Sequence, residues 1–214
     1  MDEPTIYIID DDPSVRRGLS RLLQTTGMNI ESFASASDFL NFEKIDGPSC
    51  IVLDIKMPDM TGPELQEGLI NTESCMPIIF LSAYGDVRTT ACVMKKGAVD
   101  FLTKPVDRND LMNAIHLSLE KDRENLIQKA ESTLIREKIK TLTPREHEVM
   151  TYMITGMLNK QIAGEMTISE ETVKIHRHRV KQKLGIVSVA ELVHLCYKVG
   201  IVPAQQKIKY SSEG

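Results

Sequence analysis

Four short stretches of this 214-residue chain carry side chains able to handle a phosphoryl group. Three carboxylates follow an apolar run in Ile8-Ile9-Asp10-Asp11-Asp12. Asp54 closes Cys50-Ile51-Val52-Leu53-Asp54, Ser82 and Ala83 end FLSA, and Lys104 and Pro105 end FLTKP. Like charges as close as Asp10, Asp11 and Asp12 repel one another, and a divalent cation such as Mg²⁺ or Mn²⁺ stabilises such a set of hard oxygen ligands. With Asp54 attacking phosphorus, the cation and Lys104 would neutralise the equatorial oxygens and Ser82 would donate a hydrogen bond. Each element alone is weak, because acidic runs cap helices and strand-end aspartates often belong to turns. Their occurrence together, in order, carries the reading.

The elements that must position these residues follow from hydropathy. Ile6 to Ile9, Asn29 to Phe33, Cys50 to Asp54, Ile78 to Ser82 and Val99 to Leu102 read as strands, several of them continuous in the manner of strands covered on both faces. Helical patterns lie between them: Ser14 to Thr26 closed by Gly27, Ser35 to Phe42, Pro63 to Asn71, Asp86 to Lys96 closed by Gly97, and one starting near Asp107. The expectation is an α/β fold, a doubly wound, five-stranded parallel sheet in the flavodoxin-like order 2-1-3-4-5. In that order the first and third strands are neighbours, so Asp10, Asp11 and Asp54 converge, with Ser82 and Lys104 on the same carboxyl edge.

Charge is unevenly divided along the chain. Residues 1–122 hold 20 acidic against 11 basic side chains, whereas residues 140–214 hold 7 against 11, so a basic back half suggests a polyanionic partner. The longest apolar stretch, Met76 to Ala83, is far too short to span a membrane, and the start MDEPT lacks the basic residues of a secretion signal. We therefore expect a cytoplasmic protein with no membrane partner. Cys50, Cys75, Cys92 and Cys196 form no CxxC pair and read as reduced and mostly buried.

From Thr141 the pattern is helical, a four-helix unit. Thr143-Pro144-Arg145-Glu146 is a capping box with Pro at the first helical position. A short helix from about Lys160 to Met166 and a turn at Thr167-Ile168 lead to Ser169, which caps EETVKIHRHRVKQKLG. Val173, Val180 and Leu184 share one stripe of that helix. Glu171, Lys174, Ile175, His178, Arg179 and Gln182 share the opposite face, which suits the major groove of DNA. A fourth helix, Ser188 to Val199, supplies Leu192, Val193 and Leu195 as packing; Met150, Met153, Met157 and Met166 read as core filler. No Gly or Pro interrupts the chain from Asp107 to Lys138, which predicts one long linker helix; Asp122 and Lys129 spoil its heptads, against a sustained coiled coil. The residues after Pro203 read as a frayed tail.

IIDDDPSVR, LDIKMPDMTGPEL, FLSAYGD and GAVDFLTKP resemble the receiver domain of two-component response regulators. LTPREHEVM, GMLNKQIAGEM and ISEETVKIHRHRVKQKLGI resemble the LuxR-type helix-turn-helix. Together they resemble the FixJ/NarL family, and within it the StyR-like regulators of aromatic catabolism. The resemblance implies a receiver at 1–122, a helical linker at 123–139, a DNA-binding domain at 140–200 and a tail at 201–214. It implies Asp54 as phosphoacceptor, Asp11 and Asp54 as direct Mg²⁺ ligands, Asp10 as a ligand through water and the Lys56 carbonyl as another. Met57-Pro58 and Gly62 would shape the adjoining loop and Lys104-Pro105 would be cis. Ser82 and Phe101 would be the switch pair, although Phe101 is also consistent with a plain core residue. Lys174, Ile175 and His178 would face base edges, with Lys160, Thr172 and Lys181 nearer phosphates. The implied partners are a sensor histidine kinase, double-stranded promoter DNA and, when phosphorylated, a second copy of the chain; RNA polymerase stays open as a further partner. The implied function is regulation, most simply activation, of transcription, not turnover by an enzyme. Two other readings stay open at this stage: an Asp-nucleophile phosphohydrolase, which would want a DxDxT-like loop, and a receiver whose output helices bind protein.

Overall fold

The computed structural model describes residues 3–72, 76–83 and 87–204. They divide into two compact units, one ending at Ile127 and the other beginning at Gln128. In the first, strands Thr5–Ile9 (β1), Asn29–Phe33 (β2), Ser49–Asp54 (β3), Ile78–Ser82 (β4) and Asp100–Thr103 (β5) alternate with helices Pro13–Leu23 (α1), Ala36–Asn41 (α2), Gly62–Asn71 (α3) and Val87–Lys95 (α4). The sheet order is β2-β1-β3-β4-β5, parallel throughout. The expected topology holds, with the second and fourth strands at the expected bounds and the other boundaries moved by at most three residues. The expected helix start at Asp86, like Cys75 and the tail from residue 205, lies outside the described residues.

β1, β3 and β4 are buried along their whole length, which is why their sequences lack polar alternation. The period of two reappears in packing. Tyr7, Ile9, Ile51, Leu53 and Phe80 join one core with Leu65 and Val93, whereas Ile6, Ile8, Val52, Ile79 and Leu81 join another with Leu19, Leu111 and Ile115. Each fully buried Ile or Leu contributes about 1.5–3 kcal/mol, so these two layers hold rigid the rim that carries the polar residues. Cys50 is buried and burial pushes its thiol up. Cys196 is buried too, in keeping with mostly buried cysteines, whereas Cys92, whose segment reads as apolar, is exposed on α4.

Helix Arg108–Lys140 (α5) runs unbroken for 33 residues, about 50 Å at 1.5 Å per residue. Within the first unit its Asp122 is buried and accepts the Ser49 N–H at 2.7 Å, so the polar residue that spoils the heptad ties the start of β3. The second unit adds Pro144–Met153 (α6), Asn159–Met166 (α7), Glu170–Leu184 (α8) and Val189–Lys198 (α9). Its core gathers Ile139, Val149, Met150, Met153, Ile162, Val173, Val180, Leu184 and Leu192. Val193, expected to pack, is 43% exposed; Cys196, one turn beyond Leu192, takes the inward place. Residues i and i+4 share a helix face, and Val193 lies some 100° off it.

Candidate functional site

The rim is assembled by strand ends. β1 delivers Asp10, β3 delivers Asp54, β4 delivers Ser82, and Lys104 directly follows β5, its N–H donating to the Ser82 carbonyl at 2.8 Å. Asp10, Asp54 and Ser82 are buried, while Asp11 and Ala83 are exposed at the same edge. The Lys104 ammonium, half-buried, donates to Asp10 Oδ2 at 2.6 Å and to Asp54 Oδ1 at 2.5 Å. The second oxygen of each carboxylate is also used: Asp10 Oδ1 accepts the Asp12 N–H at 2.9 Å, and Asp54 Oδ2 accepts the Lys56 N–H at 2.7 Å.

The triple aspartate therefore splits into three environments. Asp10 is buried and paired, Asp11 faces solvent, and Asp12 caps α1 by accepting the Ser14 N–H at 2.7 Å, which lowers its pKa. Burial raises the Asp10 pKa against the opposing pull of Lys104. Burial draws the Lys104 ammonium down, but hydrogen bonds to the two carboxylates outweigh it and its pKa ends raised. Like charges on Asp10 and Asp54 are thus offset here by one ammonium. Among the described residues no three His, Cys, Asp or Glu side chains already stand at ligand spacing, so the expected meeting of all three carboxylates is seen only for Asp10 and Asp54.

The loop after β3 is held against the same edge. Gly62 N–H donates to the Ile55 carbonyl at 3.0 Å, and a Cβ at Gly62 would lie 2.4 Å from the Asp54 carbonyl oxygen, so only glycine fits. Thr61 and Glu64 close a capping box that starts α3 there. Met57 is buried in the core beneath. The Lys104–Pro105 peptide bond is cis. Phe101 is half-buried, pairs in register with Phe80 and packs on the same core.

In the second unit, Thr167 at φ 57 makes the left-handed turn between α7 and α8, and Ser169 caps α8 by accepting the Thr172 N–H. Val173, Val180 and Leu184 are inward, as expected. Lys174, Ile175, His178, Arg179 and Gln182 are exposed on the other side, as is Lys160 on α7. Four of the expected contact residues are already engaged: Lys174 and Glu171 with each other at 3.2 Å, the Lys181 ammonium with the Val187 carbonyl at 2.9 Å, and Thr172 with the Ser169 hydroxyl at 2.8 Å. Sequence reasoning missed Arg177, half-buried and donating to the Met157 carbonyl at 3.4 Å, and Lys183, whose ammonium donates to the buried Glu146 carboxylate at 2.6 Å. No local signal marks either, because their partners lie 20 and 37 positions away.

Comparison with known proteins agrees with both units. The response regulator receiver domain model matches residues 6–116, and the model of bacterial regulatory proteins of the luxR family matches residues 140–196. The response regulator protein TodT of Pseudomonas putida is 38% identical over 190 residues, covering 89% of this chain and 84% of TodT. The transcriptional regulatory protein FixJ of Azorhizobium caulinodans is 34% identical over 199 residues, covering 93% of this chain and 94% of FixJ. The solved structure of the response regulator StyR aligns with a TM-score of 0.74 and 43% identity, covering 92% of this chain and all of that one.

Proposed function

The chain belongs to the response regulators that join a receiver to a luxR-type DNA-binding domain and regulate transcription in a phosphorylation-dependent way, and on that premise we propose that Asp54 is its phosphoacceptor. The observation that carries the proposal is the bridge from Lys104 to both Asp10 and Asp54 at the carboxyl edge of the sheet. A carboxylate held there can attack the phosphorus of a sensor kinase's phosphohistidine: the Asp54 oxygen bonds to phosphorus as the phosphorus–nitrogen bond breaks. Lys104, already on Asp54, would follow the charge onto the phosphoryl oxygens, and the Ser82 hydroxyl would donate to one of them. Ala83, small and exposed, stands at the same edge, and Phe101 packs on the core that also holds Phe80.

The donor set suits a hard divalent cation. Asp10 and Asp54 stand close enough to share one ammonium, Asp11 is at the same edge, and all the donors are oxygens. Mg²⁺ or Mn²⁺ held by these three and the Lys56 carbonyl would supply Lewis-acid neutralisation of the phosphoryl group. We take residues 1–122 as the receiver, 123–139 as the linker and 140–200 as the output domain, in a cytoplasmic protein. Phosphorylation would favour a dimer that places the exposed faces of two α8 helices on a two-fold promoter site, with Lys174, Ile175 and His178 toward base edges, Arg179 and Glu171 beside them, and Lys160, Thr172 and Lys181 toward phosphates. The phosphoryl chemistry is self-directed signalling rather than turnover.

The test is acetyl phosphate labelling of wild type and Asp54→Asn, read by intact mass, followed by gel shifts on promoter fragments across a salt series. We expect labelling of wild type alone, and DNA affinity that rises with labelling and falls steeply with salt. Equal labelling of Asp54→Asn would overturn the assignment of the phosphoacceptor.

A further inference from the structure

We propose that Gln66 is a positioning residue of the switch: from α3 it holds the last turn of α4, through a bond that the rest of its own amide leaves poorly balanced. The proposal deepens the phosphoacceptor reading and rests on it only for the step that releases the hold.

Three observations converge on this one side chain. First, Gln66 is 2% exposed, and its Nε2 donates to the backbone carbonyl of Val93 at 3.1 Å. Val93 is the one side chain that α4 buries among its described residues, and its carbonyl also accepts the Ala98 N–H at 3.2 Å. Val93 is thus where α4 enters the core most deeply, and Gln66 grips the backbone of that residue. The next residue of α3 adds an outer tie, with the Lys96 ammonium on Glu67 at 2.8 Å.

Second, α3 is tied to the proposed phosphoacceptor. Its first residue is Gly62, packed so tightly on the Asp54 carbonyl that no Cβ fits. Gln66 lies four residues on, just over one turn along the same helix.

Third, the amide is only half satisfied. Gln66 Oε1 is buried with no hydrogen-bond partner, which is costly for a carbonyl. A cavity of about 260 Å³ opens beside it, lined by Leu69, Ile70, Met76, Lys96 and Lys121. Turning the amide into that space would hydrate its carbonyl and release Val93. One arrangement keeps the bond to α4 and leaves the carbonyl unpaired; the other satisfies the carbonyl and frees α4. Two such states of similar free energy are what a small shift at the other end of α3 can tip.

The test uses the full chain with Gln66→Met, which keeps the length of the side chain and removes both donor and acceptor, and Gln66→Glu, which keeps acceptors but cannot donate when ionised. Hydrogen–deuterium exchange is followed on peptides spanning 92–98 and on control peptides from β1 and β3. We expect both variants, unphosphorylated, to exchange about tenfold faster than wild type at 92–98 with the controls unchanged. Acetyl phosphate, with its uptake read separately by intact mass, should speed exchange at 92–98 in wild type and add little in the variants. Unchanged exchange at 92–98 in either variant, or acceleration spread equally over the controls, overturns the proposal. If no phosphate is taken up, the phosphoacceptor reading fails, while the unphosphorylated comparison still decides the role of Gln66.

Discussion

The Lys183 ammonium lies 2.6 Å from the Glu146 carboxylate, which is 3% exposed, and joins the last turn of α8 to the first turn of α6. Glu146 also accepts the Thr143 N–H at 2.8 Å, and Lys183 donates to the Thr141 carbonyl at 2.9 Å. The helix proposed to read DNA is therefore pinned at its far end by one charged hydrogen-bond network. The hydrogen bond from Lys183, helped by that from the Thr143 backbone, holds the Glu146 carboxyl at a pKa of about 2. A carboxyl whose folded pKa is depressed stabilises the fold above its unfolded value and loses that contribution as pH falls through the folded value. Glu146 should thus support the second unit fully at pH 5 and above and progressively less from about pH 4.5 down to about 2. Lys183→Met should lower unfolding free energy at neutral pH by about 1–3 kcal/mol and flatten the acid dependence in that window, measured by urea unfolding at a series of pH values.

Lys104→Met should leave two buried carboxylates facing one another without their shared cation. Loss of one partner from a buried pair costs about 3–5 kcal/mol, and the partial exposure of Lys104 places the expected cost at the lower end, about 3 kcal/mol. Added Mg²⁺ should recover more stability in the variant than in wild type, because it no longer competes with the ammonium. Urea unfolding of both proteins with EDTA and with Mg²⁺ checks this; equal metal responses would separate Lys104 from the cation site.

Asp122 is raised in pKa by burial and accepts both the N–H and, at 3.3 Å, the hydroxyl of Ser49. Asp122→Ala should cost about 1–3 kcal/mol by leaving the Ser49 N–H buried and unpaired. Asp122→Asn keeps an acceptor and should cost under about 1 kcal/mol. Burial also penalises the charged form, so this carboxyl favours the fold most when protonated. Its contribution weakens as pH rises through the folded pKa, and Asp122→Asn should remove that weakening. Thermal melts from pH 4 to 8 measure both effects.

On the exposed face of α8, His178→Ala should relax base preference at one position of a half-site by about 1–3 kcal/mol. Lys160→Ala on α7 should weaken binding to all sequences alike and reduce the slope of log affinity against log salt by about 1. Binding isotherms on matched and single-mismatch duplexes at several salt concentrations distinguish the two. A change in base preference from Lys160→Ala would reassign that residue from phosphates to bases.

Much of this molecule is legible along the chain because its physics is local. The apolar runs before Asp10, Asp54 and Ser82 are long enough to be strands, the connecting segments carry helix starts and stops, and a parallel sheet built from such units puts every strand's carboxyl end on one rim. Thr143 and Ser169 begin helices through bonds that span three residues, and Gly27 closes the turn after α1 with a left-handed backbone at φ 71. Their types and spacing alone determined those boundaries and the gathering of acid, hydroxyl and ammonium at one edge.

What only the tertiary structure decided is which groups meet after the chain returns on itself. Asp122 breaks a heptad when read along its helix, yet it is the partner of Ser49, 73 positions earlier. Glu146 announces its cap to Thr143 but not its pairing with Lys183, and Gln66 gives no sign that it reaches Val93. Asp10, Asp11 and Asp12 are the same residue three times over, and folding made one buried, one exposed and one a cap. Local propensity depends on neighbours along the chain, whereas burial and long-range pairing depend on which surfaces close together to exclude water. That choice is made by the packed core as a whole and is written in no single segment.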